Sequence, residues 1–169
     1  MPRGLTGSIL ASAGALLLAG MLPAYGQVRG ATALASAEIC QPVSIQKPAD
    51  LNFGALIATR SAGQVVLGQD GDRSATGGVV LGSAEAVSPA AFQVAGEPHA
   101  TFTVTLPASL VITSGPSRMT VAGFSTGSTT QALDASGRLA LKVGATLGVE
   151  ANQAPGAYTG SFAVTVAYN

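Results

Sequence analysis

An all-β protein folded as a β-sandwich is what the sequence predicts, on three observations. Gly, Ala, Thr, Val and Ser dominate while Lys and Glu are scarce, a composition suited to pleated, half-buried surfaces. Outside the N-terminal apolar run, no segment carries apolar residues at the i, i+3, i+4, i+7 spacing over three turns, so amphipathic helices are not expected. Short runs of strand character alternate with turn residues at regular spacing along the chain, the pattern of a sandwich.

The first element is a processing signal. Met1-Pro-Arg3 gives a basic start, and Ile9 to Leu22 is an apolar run too short and too poorly flanked to span a bilayer. Ala24 and Gly26 are the small residues a signal peptidase reads, so cleavage is expected before Gln27 and the protein is expected to be exported. No Cys stands near that site and no later apolar run is long enough for a membrane span. Removing residues 1–26 leaves 143 of 169 residues, enough for one domain with its own core. Residues 27–41 form an N-terminal extension: Gln27 to Ala37 is a flat run of small residues without turn signals or large apolar anchors, which would pack poorly on its own domain.

Residues 42–169 then read as the sandwich. Strands are expected at Val43 to Gln46, Leu51 to Ile57, Gln64 to Leu67, Gly78 to Leu81, Ala91 to Val94 and Thr101 to Leu106. Others follow at Leu110 to Thr113, Met119 to Phe124, Leu139 to Val143, Thr146 to Val149 and Ser161 to Tyr168. Turns are expected at Lys47-Pro-Ala-Asp50, Asp70-Gly-Asp72, Gly96-Glu-Pro98, Ser114-Gly-Pro116, Ala135-Ser-Gly137 and Asn152-Gln-Ala-Pro-Gly156, whose residues suit turn backbone angles. Beyond the signal peptide, the one piece of helix expected is a short turn near Ser83 to Val87. In Thr101-Phe-Thr-Val-Thr-Leu106, Phe102, Val104 and Leu106 are expected to face the core and the threonines water.

Charge and motifs narrow the function. Arg3 leaves with the signal, so the mature chain keeps seven basic and eight acidic side chains, with no footprint for nucleic acid or an anionic membrane. Cys40 is the only cysteine, so no internal disulfide forms. It reads first as a small buried hydrophobe, with an intermolecular disulfide or free thiol as the alternative. Gly123-Phe-Ser-Thr-Gly127 matches a nucleophile-elbow spacing, but the only histidine, His99, precedes Ser125, and Ser128-Thr-Thr-Gln is a poor helix start. His99 and Cys40 lack metal-ligand spacing. Asp70-Gly-Asp72-Arg-Ser74 lacks the glycine and glutamate of a calcium loop and reads as a hairpin turn. Gly77-Gly78 has no Lys-Ser/Thr behind it. No catalytic, cofactor-binding or metal residues are assigned, and the protein is not expected to be an enzyme.

The chain closes on Gly156-Ala-Tyr-Thr-Gly-Ser-Phe-Ala-Val-Thr-Val-Ala-Tyr-Asn169. Phe162, Val164, Val166 and Tyr168 share one face of an extended strand. With the penultimate Tyr168, and Gly156 fourteenth from the end, this stretch resembles the C-terminal strand of chaperone-usher pilins. From Ala49-Asp-Leu-Asn-Phe-Gly54 through Leu133-Asp-Ala and Val143-Gly-Ala-Thr-Leu147 to Asn152-Gln-Ala-Pro-Gly-Ala-Tyr-Thr-Gly160, the sequence also looks like the DUF4402 family of bacterial exported proteins. That family is similar to spore coat protein U and the archaic pilins.

The resemblance implies an immunoglobulin-like, pilin-like sandwich lacking its last strand, completed by a donated strand. It implies a periplasmic chaperone, an outer-membrane usher and identical or related subunits as partners, no cofactor, and a path through the periplasm to the cell surface, a fimbria or the extracellular space. By that resemblance Phe162, Val164, Val166 and Tyr168 form the interface strand, and Gly156 lets the chain enter it. The candidate donor is Gln27 to Ile39, with Ala31, Ala33, Ala35, Ala37 and Ile39 inward. Leu34 contradicts that register; the opposite one, with Val28, Thr32 and Leu34 inward, buries Ser36 and Glu38. The expected function is a structural subunit of a surface fimbria or coat assembled by donor-strand complementation. The alternative is a self-complete secreted β-sandwich acting as a binding or coat module.

Overall fold

The structure is a computed structural model that describes residues 30–84 and 86–169. The signal peptide, its cleavage site and Gln27 to Arg29 lie outside the described residues. Residues 30–37 group apart from Glu38–Asn169; they form no strand or helix and are exposed.

Within Glu38–Asn169 every assigned element is a strand: β1 (Ser44–Ala49), β2 (Leu56–Leu67), β3 (Arg73–Leu81), β4 (Ala90–Ala95), β5 (Thr101–Thr105), β6 (Ser109–Ser114), β7 (Ser117–Ser125), β8 (Thr130–Ala132), β9 (Arg138–Val149) and β10 (Thr165–Tyr168). All pair antiparallel. A seven-stranded sheet runs β1-β4-β9-β2-β3, with β7 also on β9 and β6 on β7; a three-stranded sheet runs β10-β5-β8. The described residues are therefore all-β, in the arrangement of a sandwich.

β9 ties the larger sheet together. Its first half pairs with β4 from Arg138↔Ala95 to Val143↔Ala90, and its second half pairs with β2 and β7. Leu141, Val143, Ala145, Leu147 and Val149 alternate inward, so one strand feeds two apolar clusters. In the first, Phe92 and Val94 of β4 with Leu141 and Val143 of β9 meet Phe102 and Val104 of β5, the two sheets burying their inner faces together. In the second, Val65, Leu67, Val79 and Val121 gather with Leu147 and Val149 around Phe53. Each fully buried side chain of this size contributes about 1.5–3 kcal/mol of transfer free energy.

The turns follow their residue chemistry. The β2–β3 hairpin closes at Gly68–Asp72, where the Gly68 N–H donates to the Asp72 carbonyl at 2.9 Å and the Asp72 N–H to the Asp70 carboxylate at 3.1 Å. The Val87 N–H donates to the Ala84 carbonyl at 3.2 Å, a single hydrogen-bonded turn where a short piece of helix was expected. The turn expected at Lys47 to Asp50 is instead the end of β1, an edge strand, with Pro48 at its irregularity, where a missing N–H is tolerated.

Four further expectations change. The two strands expected at Leu139 to Val143 and Thr146 to Val149 are one strand, because Gly144 packs against the Leu67 and Gly68 backbone without breaking the pairing. Leu51 to Ile57 contains only an isolated Asn52↔Ser88 bridge before β2 begins. β8 adds a three-residue strand that composition did not mark. Cys40 is exposed, not buried, because it precedes the first strand, where none of the described residues packs over it. At Ser125, β7 ends and the hydroxyl accepts from the Gly127 N–H at 3.1 Å; the next element is β8.

Candidate functional site

A groove of about 1190 Å³ opens between Asp50–Ala58 and Gln153–Phe162. Leu110 and Ile112 of β6 and Met119 of β7 also line it, over a floor of Val121, Leu147 and Val149. Leu51, Leu56, Leu110, Ile112 and Met119 are only partly buried. Asn52, Gln153, Thr159 and Ser161 also line it, so the groove has an apolar floor and mixed walls.

Local chemistry fixes the first wall. The Gly54 N–H donates to the Asn52 side-chain carbonyl at 2.8 Å, and Gly54 has φ +71°, which favours glycine. The Arg73 guanidinium donates to the carbonyls of Phe53 at 2.6 Å, Ala55 at 3.2 Å and Gly82 at 3.0 Å. These bonds pin the Phe53–Ala55 segment beside the end of β3, where the Ala55 carbonyl also accepts from the Gly82 N–H at 2.9 Å. Lys47 and Asp50 form an exposed ion pair at the rim, a contact worth little by itself.

The second wall is held as firmly. The Gln153 amide donates to the Arg118 carbonyl at 3.1 Å and the Tyr158 oxygen at 2.7 Å, and the Tyr158 hydroxyl donates to the Ala154 carbonyl at 2.7 Å. Thr159 then exchanges two backbone bonds with Thr113 of β6, at 2.9 and 3.0 Å. At Gly160 a Cβ would lie 2.9 Å from Ile112 Cγ2 and 3.1 Å from the Val111 carbonyl. Gly156 is needed for closeness, since a methyl there would collide with the Ser114 hydroxyl.

After Gly160 the chain leaves β6 and crosses to the smaller sheet. Phe162, Val164, Val166 and Tyr168 are half-buried while Ser161, Ala163, Thr165 and Ala167 are exposed. The structure thus brings the four predicted residues onto one inner face. The Phe162 ring packs on Phe124 with centroids 4.8 Å apart, and Val166 and Tyr168 stand opposite Val104 and Phe102.

The expected strand is nevertheless shorter than Ser161 to Tyr168. Only Thr165–Tyr168 pairs with β5, because continuing the register would set Ala163 against Pro107, which has no N–H to offer. Among the described residues no strand pairs with Ser161 to Val164, and the second edge of β10 is open. Ala31, Ala33, Ala35, Ala37 and Ile39 are all exposed and in no strand; the structure does not bring them to a site. Leu34 is 103% and Ile39 97% exposed.

Sequence reasoning missed the contribution of β6, whose Leu110 and Ile112 line the groove, and the anchoring role of Arg73. The unbroken apolar run Leu110-Val-Ile112 was the available signal for the first. The second had none, since Arg73 lies 20 residues from Phe53. A family model described as "Domain of unknown function (DUF4402)" matches residues 43–168. Neither a curated protein nor a solved structure matches the chain.

Proposed function

We propose that this chain, which belongs to the DUF4402 family, is a structural subunit of a surface fimbria or coat whose sandwich is completed by a strand from a second copy. One observation carries the reading: the inner face of Phe162 to Tyr168 is only half-buried, beside an open apolar groove and a stretch of backbone without a partner strand. Unpaired edges beside apolar surface are templates for strand addition.

The occupant is residues 27–39 of another copy. Its described part, Gly30 to Ile39, carries one charge, Glu38, and the face of Ala31, Ala33, Ala35, Ala37 and Ile39 is apolar throughout, with Ile39 97% exposed; that face suits an apolar groove, while Leu34 points out of it. Ten extended residues reach about 33 Å, enough to run along the roughly 26 Å of Ser161 to Tyr168. Ala31, Ala33, Ala35, Ala37 and Ile39 face inward in the preferred register. An immunoglobulin-like, pilin-like architecture, export, and passage by way of a periplasmic chaperone and an outer-membrane usher belong to the same reading.

Sedimentation of the purified mature protein tests it. The expected result is assemblies that persist on dilution, and loss of those assemblies in Ile112→Asp, which sets a charge on the groove rim. A wild-type protein that is monomeric at every concentration, and that accumulates without any partner, would replace this reading with a self-complete binding or coat module.

A further inference from the structure

The C-terminal strand and the exit of the N-terminal segment meet at one hydroxyl. Tyr168 Oη accepts from the Glu97 N–H at 2.7 Å and donates to the Gln41 carbonyl at 2.9 Å. The Gln41 N–H donates to the Glu97 carboxylate at 3.2 Å. Gly96 makes room for the arrangement, since a Cβ there would collide with the Tyr168 hydroxyl. Pro42 follows Gln41 and restricts it to extended backbone. Both polar backbone groups of Gln41 are therefore held at the residue from which the segment continues.

We propose that Tyr168, Glu97 and Gln41 form a latch coupling the accepting strand to the donating segment of the same subunit. The inference rests on the strand-accepting reading of the groove. A strand that pairs with the free edge of β10 orders that strand and holds the Tyr168 phenol in place. The phenol then holds Gln41, and the segment leaves the domain from a fixed point. A filled subunit consequently presents its segment better than an empty one, and because coupling between two binding events is reciprocal, a segment engaged by its neighbour tightens the strand in its own subunit's groove. Growth is favoured at the end of an existing assembly over pairing between two free subunits.

Cys40, exposed and the only cysteine, sits beside the latch and takes a nitroxide label. Spectra are recorded on the monomeric fraction of mature protein, and assembly is followed by sedimentation. Tyr168→Phe keeps the ring and removes the hydroxyl, while Glu97→Ala breaks the triangle at an exposed position and leaves the apolar core untouched. Glu97→Gln keeps an acceptor for the Gln41 N–H. Expected are a severalfold faster label motion in the first two variants, wild-type motion in Glu97→Gln, and assembly in Tyr168→Phe only at about tenfold higher concentration, the effect of losing the hydrogen bond to Gln41. Label motion unchanged in both Tyr168→Phe and Glu97→Ala overturns the latch. Faster motion with unchanged assembly overturns the coupling. Failure of the wild type to assemble removes the groove reading instead, and the label spectra then still decide whether the latch exists.

Discussion

Val164 and Thr165 are neighbours with opposite fates, and the difference comes from direction alone. Val164 turns toward the cluster of Phe102 and Val104 while Thr165 faces out. Val164→Asp is expected to cost roughly 3 kcal/mol and Thr165→Asp within about 0.5 kcal/mol, the contrast between an unpaired charge at a packed face and a surface change. Urea midpoints of the two variants check it, and equal midpoints would mean that the face is wrongly assigned. That face was legible in the sequence because alternation in Phe162, Val164, Val166 and Tyr168 needs no partner to be read. The Tyr168 triangle was not. Its bonds join residues 56, 71 and 127 positions apart, and no local pattern encodes such a meeting.

At the scale of elements, the loop from Asp134 to Arg138 shows how a single carboxylate sets a turn. Its oxygen accepts from the Ser136 hydroxyl at 2.6 Å and from the N–H groups of Ser136 at 2.8 Å and Arg138 at 2.9 Å. The Ser136 hydroxyl, followed by the Arg138 N–H, holds the Asp134 carboxyl below its ordinary range. A carboxylate lowered in the folded state adds stability above its unfolded value of about 4, and that stability is lost as pH falls through the folded value. The melting temperature of the wild type should therefore exceed that of Asp134→Ala at pH 6, with the gap closing toward pH 3. A constant gap would show that the carboxylate is not the source. Turn positions were readable here, as Ala135-Ser-Gly137 shows. Strand limits were less so, because Arg73 holds the Phe53 carbonyl in a run that looks extended, and Gly144 passes through β9 as a close contact and not a break.

For the whole molecule, both apolar clusters are built from residues 43–168, so the domain should keep its fold without residues 27–39. Deleting that segment from the mature protein is expected to abolish large assemblies while leaving a strand-dominated circular dichroism spectrum. A synthetic peptide of residues 27–39 should then raise the melting temperature of the shortened protein in proportion to the logarithm of its concentration, since it binds only the folded state. Unfolding on deletion, with no rescue by the peptide, would mean that the segment belongs to its own domain. The all-β class was plain in the sequence from composition and turn spacing. The groove was not, since its walls and rim come from segments about a hundred residues apart in the chain, Asp50–Ala58 and Gln153–Phe162.

The shared strand β9 also sets a timetable. β2, β4 and β7 all precede it, and each pairs with it across the sheet. On a ribosome adding roughly 5–20 residues per second, the inner faces of those three strands are made first and stay without their common neighbour until Val149 has emerged. The cluster around Phe102 waits for Leu141 and Val143 and the one around Phe53 for Leu147 and Val149, and the contacts that close them are long in sequence and slow to form. Until β9 is made the chain can form only the β1–β4, β2–β3, β5–β8 and β6–β7 pairs, so closure of the sandwich is a late event of its synthesis.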